Sequence, residues 1–350
     1  MPVPKHRLLF IMDDTVIENI NSSINSDAKY WMVRTMGGDY YKEFVEDGYI
    51  AVGFNEITQS DLKKLPESEK LSRDVLMALL KDRNEKLKNV SYPVSQLIRF
   101  YRDMNVGDFI VVPSKNSHYV SFGIISSDIY EEEGVHLHSA ESCPFSKRRR
   151  VDWKISSIKN RLAPVLQLMF GSRHIISDVG DYAPYIDSLL SDFYVKDDEA
   201  NLVLRINTPD EIRSSDFFAI YKVFQIVDDF CKERGIDMST SDIIMKVQMQ
   251  SQGDVRLSSK QKFVLALVGL TVYGIIGGGL KLDIESLGFK LDLSSHGFLH
   301  EYSDFLDRSV DRNTKESINA SMKSLAMDSI KDLDIPIKLL QEQNSIRNNY

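Results

Sequence analysis

At 350 residues the chain has room for two or three domains, and 43% hydrophobic with 27% charged residues describes folded protein and not disorder. A formal net charge of −8 excludes a polyanion-binding field over the whole surface, so a nucleic-acid contact would need a local basic patch. Two cysteines, Cys143 and Cys231, build neither a disulfide framework nor a four-ligand zinc site, and they suit a reducing cytoplasm.

In chain order, Leu8 to Met12 is an apolar run that Asp13 and Asp14 interrupt after about five residues, too short for a signal-peptide core. Lys29 to Thr35 reads as a strand ending at Gly37-Gly38. Tyr40 to Asp47 reads as a short helix closed by Gly48, and Tyr49 to Phe54 as a strand. Ser60 to Leu87 has helical spacing with a break at Pro66 to Ser68, and Tyr92 to Met104 carries Val94, Leu97, Ile98 and Tyr101 on one helical face. Phe109 to Pro113 and Tyr119 to Ser126 are the clearest strands, joined by the polar loop Ser114-Lys115-Asn116-Ser117-His118. Val151 to Trp153 reads as a closing strand, and Leu162 to Phe170 and Tyr182 to Tyr194 as helices.

A charged linker, Lys196 to Glu199, then precedes a β-α-β module. It comprises Asn201 to Asn207, an amphipathic helix Ser214 to Arg234 capped by Asp210 or Ser214 and ended by Gly235, and Ile243 to Gln250. Phe263 to Leu280 follows, without a charge and flanked by Lys260, Lys262 and Lys281. Leu282 to Leu293 alternates as a short hairpin would, and the tail after Ser303 is polar and helical. The expected boundaries are 1–195, 200–258 and 259–350.

Three segments belong together: the strand opening with Lys29-Tyr30-Trp31, the helix end Arg99 to Met104, and Asn105-Val106-Gly107-Asp108 leading through Phe109 to Pro113 into Ser114. Their order and spacing resemble the EVE branch of the PUA-like fold over roughly residues 28 to 155. The N-terminal domains of some bacterial restriction-like and phage-defence proteins are similar. The fold class expected is therefore α+β: a PUA/EVE-like β-barrel with helices, the β-α-β module, and a hydrophobic C-terminal helix with a hairpin. The resemblance implies a pocket that holds a flipped or modified base. Pro113 departs from it, standing where the family usually has an aromatic residue.

Aromatic faces stack on any base and rim hydroxyls or amides read its edge. The base-reading candidates are accordingly Trp31, Arg34, Phe54, Ser114, Lys115, Asn116, Ser117 and Tyr119. Burial in a core is the competing role for Trp31, and turn-making the competing role for Asp108. Lys147, Arg148, Arg149 and Arg150 are candidates to hold phosphates, or else to protect a strand edge. His136 and His138 would share a strand face near Cys143, but a metal site lacks a firm third ligand. Asp13-Asp14 and Asp228-Asp229 read as helix-end or surface carboxylates. No phosphate loop, serine triad order or Asp…Glu-x-Lys pattern stands out, so no catalytic residue, metal or cofactor is assigned.

Phe263 to Leu280 falls inside the window of about 17–25 residues for a membrane span, with glycines for close helix contact. The rival is a buried helix from Lys262 to about Ile276, ended by Gly277-Gly278-Gly279. The module order favours a sensor of foreign or modified nucleic acid joined to a membrane-associated or self-assembling effector, by analogy with defence proteins. That reading expects a homo-oligomer in the cytoplasm or at the inner face of the cell membrane. Its alternatives are a restriction-type nuclease using Asp283, Glu285 and Lys290, and an adaptor protein.

Overall fold

The computed structural model describes residues 24–135, 142–206, 214–247, 253–276, 295–324 and 327–328. The strands among them are β1 (Tyr30–Val33), β2 (Tyr49–Val52), β3 (Phe109–Pro113), β4 (Tyr119–Ile125), β5 (Tyr130–Glu131), β6 (Lys147–Ile158), β7 (Ile176–Asp178), β8 (Phe193–Lys196), β9 (Glu199–Ile206), β10 (Ile244–Val247), β11 (Gly253–Ser259) and β12 (Met327–Asp328). The helices are α1 (Tyr41–Glu46), α2 (Gln59–Lys63), α3 (Glu69–Arg83), α4 (Ser91–Ile98), α5 (Pro164–Leu168), α6 (Ala183–Leu190), α7 (Ser214–Glu233), α8 (Lys262–Ile276), α9 (Ser295–Ser309) and α10 (Arg312–Ser324). They form two compact units, residues 27–186 and residues from 187 onward with 24–26.

The first unit is a mixed α+β domain on a curled half-barrel sheet in the order β2-β6-β4-β3-β1-β7, with β5 also on β6. β1 and β3 run parallel, with Trp31 opposite Ile110; the other pairings are antiparallel. One face packs Trp31, Val33, Ile110 and Val112 against Phe44 of α1, Leu76 and Leu80 of α3, and Val94 and Leu97 of α4. The alternate residues Met32, Val111, Val120 and Phe122 are buried as well, so these central strands are apolar on both faces. The curl has a local cause. The β4–β6 register shifts at Phe122/Gly123, and a Cβ on Gly123 would stand 2.7 Å from Val151 Cγ1 and 2.8 Å from Asp152 O and Trp153 Cε3. Only glycine lets the bulged strand close on its partner there.

The helix expected over 92–104 is α4 running into a π turn, Arg99–Asp103, before Met104. Gly107 follows with φ 94°, a left-handed turn that suits glycine.

The second unit is a five-stranded antiparallel sheet in the order β10-β11-β9-β12, with β8 also on β9. Period two puts Ala200, Leu202 and Leu204 of β9 beside Val255 and Leu257 of β11 on one face. That face meets a helical stripe on α7, Ile220, Val223, Val227 and Phe230. Because β11 separates β9 from β10, the expected β-α-β module is not a pair of neighbouring strands. β8 and β11 are additions to the expected elements.

The membrane-span expectation is corrected here. No helix among the described residues is long and apolar enough to cross a membrane. α8 has 15 residues, and its Phe263, Val264, Leu265, Leu267, Val268 and Val272 all lie in the core of this unit. An all-round apolar helix must be buried in protein or in lipid, and from Phe263 to Val272 protein covers it. Even the Thr271 hydroxyl is satisfied internally, its Oγ1 bonded to Leu267 O and to the buried Tyr302 hydroxyl. The polar tail also contributes apolar side chains, with Tyr302, Phe305 and Leu306 of α9 and Ile318 of α10 in the same core. The expected hairpin over 282–293, with Asp283, Glu285 and Lys290, lies outside the described residues, as do Asp13 and Asp14.

Candidate functional site

Trp31 is corrected from stacking platform to core residue. It is 4% exposed, and its indole N–H donates to Asp108 Oδ2 at 2.9 Å. Asp108 also accepts from Lys29 N and Asn105 N, both at 2.9 Å. It is therefore more than a turn residue, tying β1 to the start of β3. A buried carboxylate taking three N–H bonds is a strong anchor, since hydrogen bonds to charged groups contribute about 1.5–3 kcal/mol each.

The basic run is corrected in the same way. Lys147, Arg148 and Arg149 are buried and turn their cations onto backbone carbonyls. Lys147 Nζ donates to Phe54 O at 2.9 Å, and burial holds its ammonium down at a pKa of about 8. Arg148 lies 4.1 Å over the Tyr49 ring and donates to Phe145 O and Cys143 O. Arg149 caps the π turn, donating to Phe100 O, Tyr101 O and Met104 O, and also to Ser127 O. Only Arg150 is exposed, over Tyr130 and bonded to Asp47 O. These four side chains complete the fold and leave little charge for phosphates. Arg34, half-buried, donates to Phe170 O and Ser172 O at 2.6 Å each.

What the fold does bring together is a rim of two loops. Thr35 to Tyr40 leaves β1 through three left-handed residues, Met36 (φ 52°), Gly37 (73°) and Gly38 (107°). Ser114 to His118 joins β3 to β4 through two more, Asn116 (57°) and Ser117 (56°). The loops touch backbone to backbone, and a Cβ on Gly38 would overlap Lys115 N at 2.1 Å. Thr35 Oγ1 donates to Pro113 O, and Ser114 Oγ accepts from Tyr119 N at 2.8 Å. Lys115, Asn116 and Met36 are exposed at this rim, whereas Ser117 is buried. Left-handed non-glycine residues cost roughly 1–3 kcal/mol each and persist where surrounding structure fixes them, commonly at binding sites.

The second loop leads into Tyr119, and near it lies a buried chain of hydroxyls. The Tyr41 hydroxyl and Ser121 Oγ share a hydrogen bond of 2.7 Å, and Ser121 Oγ shares another of 2.7 Å with Ser156 Oγ. Burial pushes the Tyr41 phenol up to about 12, with Tyr119 close enough to add to the shift. Beside the first loop, the half-buried Tyr40 ring stands edge-on to Phe145 at 5.6 Å. Phe54 (φ 61°) packs half-buried on the same core as Phe145.

Of the predicted residues, Ser114, Lys115, Asn116, Ser117 and Tyr119 converge here; Trp31, Arg148 and Arg149 serve the core. Tyr40, Tyr41, Ser121 and Ser156 escaped sequence reasoning, and the Gly37-Gly38 turn was legible as a turn but not as part of the rim. Met-Gly-Gly was the one linear signal, since the hydroxyls come from three distant elements. Cys143 is buried with its thiol raised to about 11 by desolvation, which does not suit a metal ligand. His136 and His138 lie outside the described residues, and no cluster of metal-ligating side chains occurs among those described. No curated protein and no solved structure matches the chain. Residues 29–173, which include both rim loops and the hydroxyl chain, match the family model of a domain of unknown function, DUF8426.

Proposed function

We propose that residues 27–186 form a PUA/EVE-like reader module that holds a base of single-stranded or flipped-out nucleic acid at the rim of loops 35–40 and 114–118. One observation carries the reading: two loops with five left-handed residues are locked backbone to backbone, presenting Lys115 and Asn116 exposed at the rim. A fixed rim reads an edge without an ordering cost, and Lys115 supplies the one cation that a neighbouring phosphate needs. The Trp31–Asp108 anchor at the Gly-Asp turn supports the family resemblance from which the base-binding expectation came. In the setting that the resemblance implies, such a module is the sensor of a bacterial antiviral defence protein.

Fluorescence anisotropy with short single-stranded DNA and RNA, each with and without one modified base, tests the proposal. Lys115→Ala is expected to weaken all oligonucleotides alike, and Asn116→Ala to change the ranking among bases by about 1–3 kcal/mol. An exposed lysine elsewhere, Lys64→Ala, should have little effect. Absence of binding by the wild-type chain, or equal losses in all three variants, would overturn the reading.

A further inference from the structure

At the rim end of the first unit's sheet, β1, β3 and β6 finish and β4 and β7 begin. The two rim loops therefore share this end with the connection 159–175, which joins β6 to β7. Because the sheet runs β6-β4-β3-β1-β7, that connection has to pass from beside β4 to beside β1. Hydrogen bonds fix both of its ends next to the loops. Lys159 N donates to His118 O at 2.9 Å, and Arg34 N donates to Ile175 O at 2.8 Å. The Arg34 guanidinium adds its bonds to Phe170 O and Ser172 O. β6 and β7 are four strand spacings of about 4.8 Å apart, so the connection covers about 19 Å along the sheet.

Charge selects the ligand. In a chain of net charge −8, no Asp or Glu occurs between Asp27 and Asp39, between Asp108 and Asp128, or between Asp152 and Asp178. Those stretches supply the rim end with Lys115, Lys159, Arg161 and Arg173. Asp108, Asp128 and Asp178 stand at the opposite end of the strands, and Asp39 is the carboxylate that the first rim loop carries. Lys115, Arg161 and Arg173 are exposed and have no ion-pair partner among the described residues. Lys159 is half-buried, with its ammonium 5.6 Å over the Phe170 ring. These heads are open to water, unlike the buried run 147–149, and a polyanion can reach them. Leu168, 71% exposed on the same connection, is a single apolar side chain, whereas a lipid surface would need a broad apolar face.

We infer that the connection 159–175 is a phosphate track for the backbone of a single-stranded nucleic acid, with Lys159 and Arg161 on one side of the rim, Arg173 on the other and Lys115 between them. The inference rests on the reading of the rim as a nucleic-acid site, and it adds how the strand lies. About 19 Å accommodates about six nucleotides at 3.4 Å each, so the backbone is held on both sides of the base at the rim. Contacts of this kind fix register without reading sequence.

Anisotropy titrations of the full chain test it, with single-stranded DNA of about six nucleotides and its abasic counterpart, over about 50–200 mM salt. Arg161→Ala and Arg173→Ala should each flatten the slope of log K against log salt by about 0.7 on both strands, leaving the ranking of bases as in the wild type. Asn116→Ala should leave the slope and the abasic affinity unchanged, and Asp39→Asn should tighten both strands. Circular dichroism melts of the two arginine variants should match the wild type, because neither side chain packs in a core. Base-dependent binding with a slope that neither arginine variant alters would overturn the track and leave the base site standing. Flattened slopes on both strands without any base ranking would support the track and overturn the base site. Tighter binding to phosphatidylserine vesicles than to either strand would overturn the track in favour of a lipid surface, and no binding to either strand would overturn both readings.

Discussion

At the scale of single residues, the same amino acid does opposite work according to burial, and Lys147 is the clearest case. Its ammonium is fully buried against one carbonyl, and desolvation lowers it from 10.5 to about 8. The unfolded chain therefore binds one more proton than the folded chain between pH 8 and 10.5, so this group makes stability rise with pH across that window. Cys143 and Cys231 act in the reverse sense. Their thiols are raised from 9.0 to about 11, so their contribution is present below the unfolded value and lost as pH rises to the folded one. Comparison with Lys147→Met isolates the lysine. The wild type should gain on the variant by about 2 kcal/mol between pH 8 and 9.5 in denaturant titrations, from about 1.4 kcal/mol per pKa unit. A constant difference across that range would show that the ammonium is not desolvated. Trp31 and Asp108 teach the same lesson. Both could be picked out in the sequence, but their mutual bond spans 77 positions and has no local signature.

Elements were legible wherever period and punctuation agreed. The apolar runs of β3 and β4, the apolar stripe of α4 and α7, and the glycines at 107 and 235 all read through to the structure. β6 did not, because its first half, Lys147 to Arg150, looks like a solvated edge. The strand is buried on both sides there, and its long stems pack while the heads find carbonyls, a behaviour that composition does not reveal. Of the site, the serine-bearing loop was visible as a polar stretch between strands; the hydroxyl chain was not, since Tyr41, Ser121 and Ser156 lie on three elements far apart in sequence. The bulge at Gly123 also has no linear signal beyond a glycine in a strand. Gly123→Ala should cost about 1–3 kcal/mol through overpacking against Val151 and Trp153, lowering the unfolding temperature of the first unit. An unchanged melt would mean that the bulge can shift to accommodate a methyl group.

For the whole molecule, the two separate cores have a thermodynamic counterpart. Each unit buries its own apolar cluster, so calorimetry should resolve two transitions. Val268→Asp, which puts a carboxylate into the α8 contact with the second core, should depress one transition by several degrees and leave the other in place. Gly123→Ala should depress the other. A single transition shifted by both variants would show that the units unfold together. A hydrophobicity profile could not make this distinction, because α8 reads alike whether lipid or α7, α9 and α10 surround it.

The buried arginines give the unfolding of this chain an unusual chemical signature. While β6 is paired, its cations are spoken for by carbonyls; once it opens, three positive side chains in succession become available together. A polyanion such as heparin would then find its best partner in the denatured ensemble, where it acts as a ligand of the unfolded chain and drains the native population by mass action. A base bound at the rim pulls the equilibrium the other way. The sign of the shift in melting temperature thus tells recognition from mere charge capture.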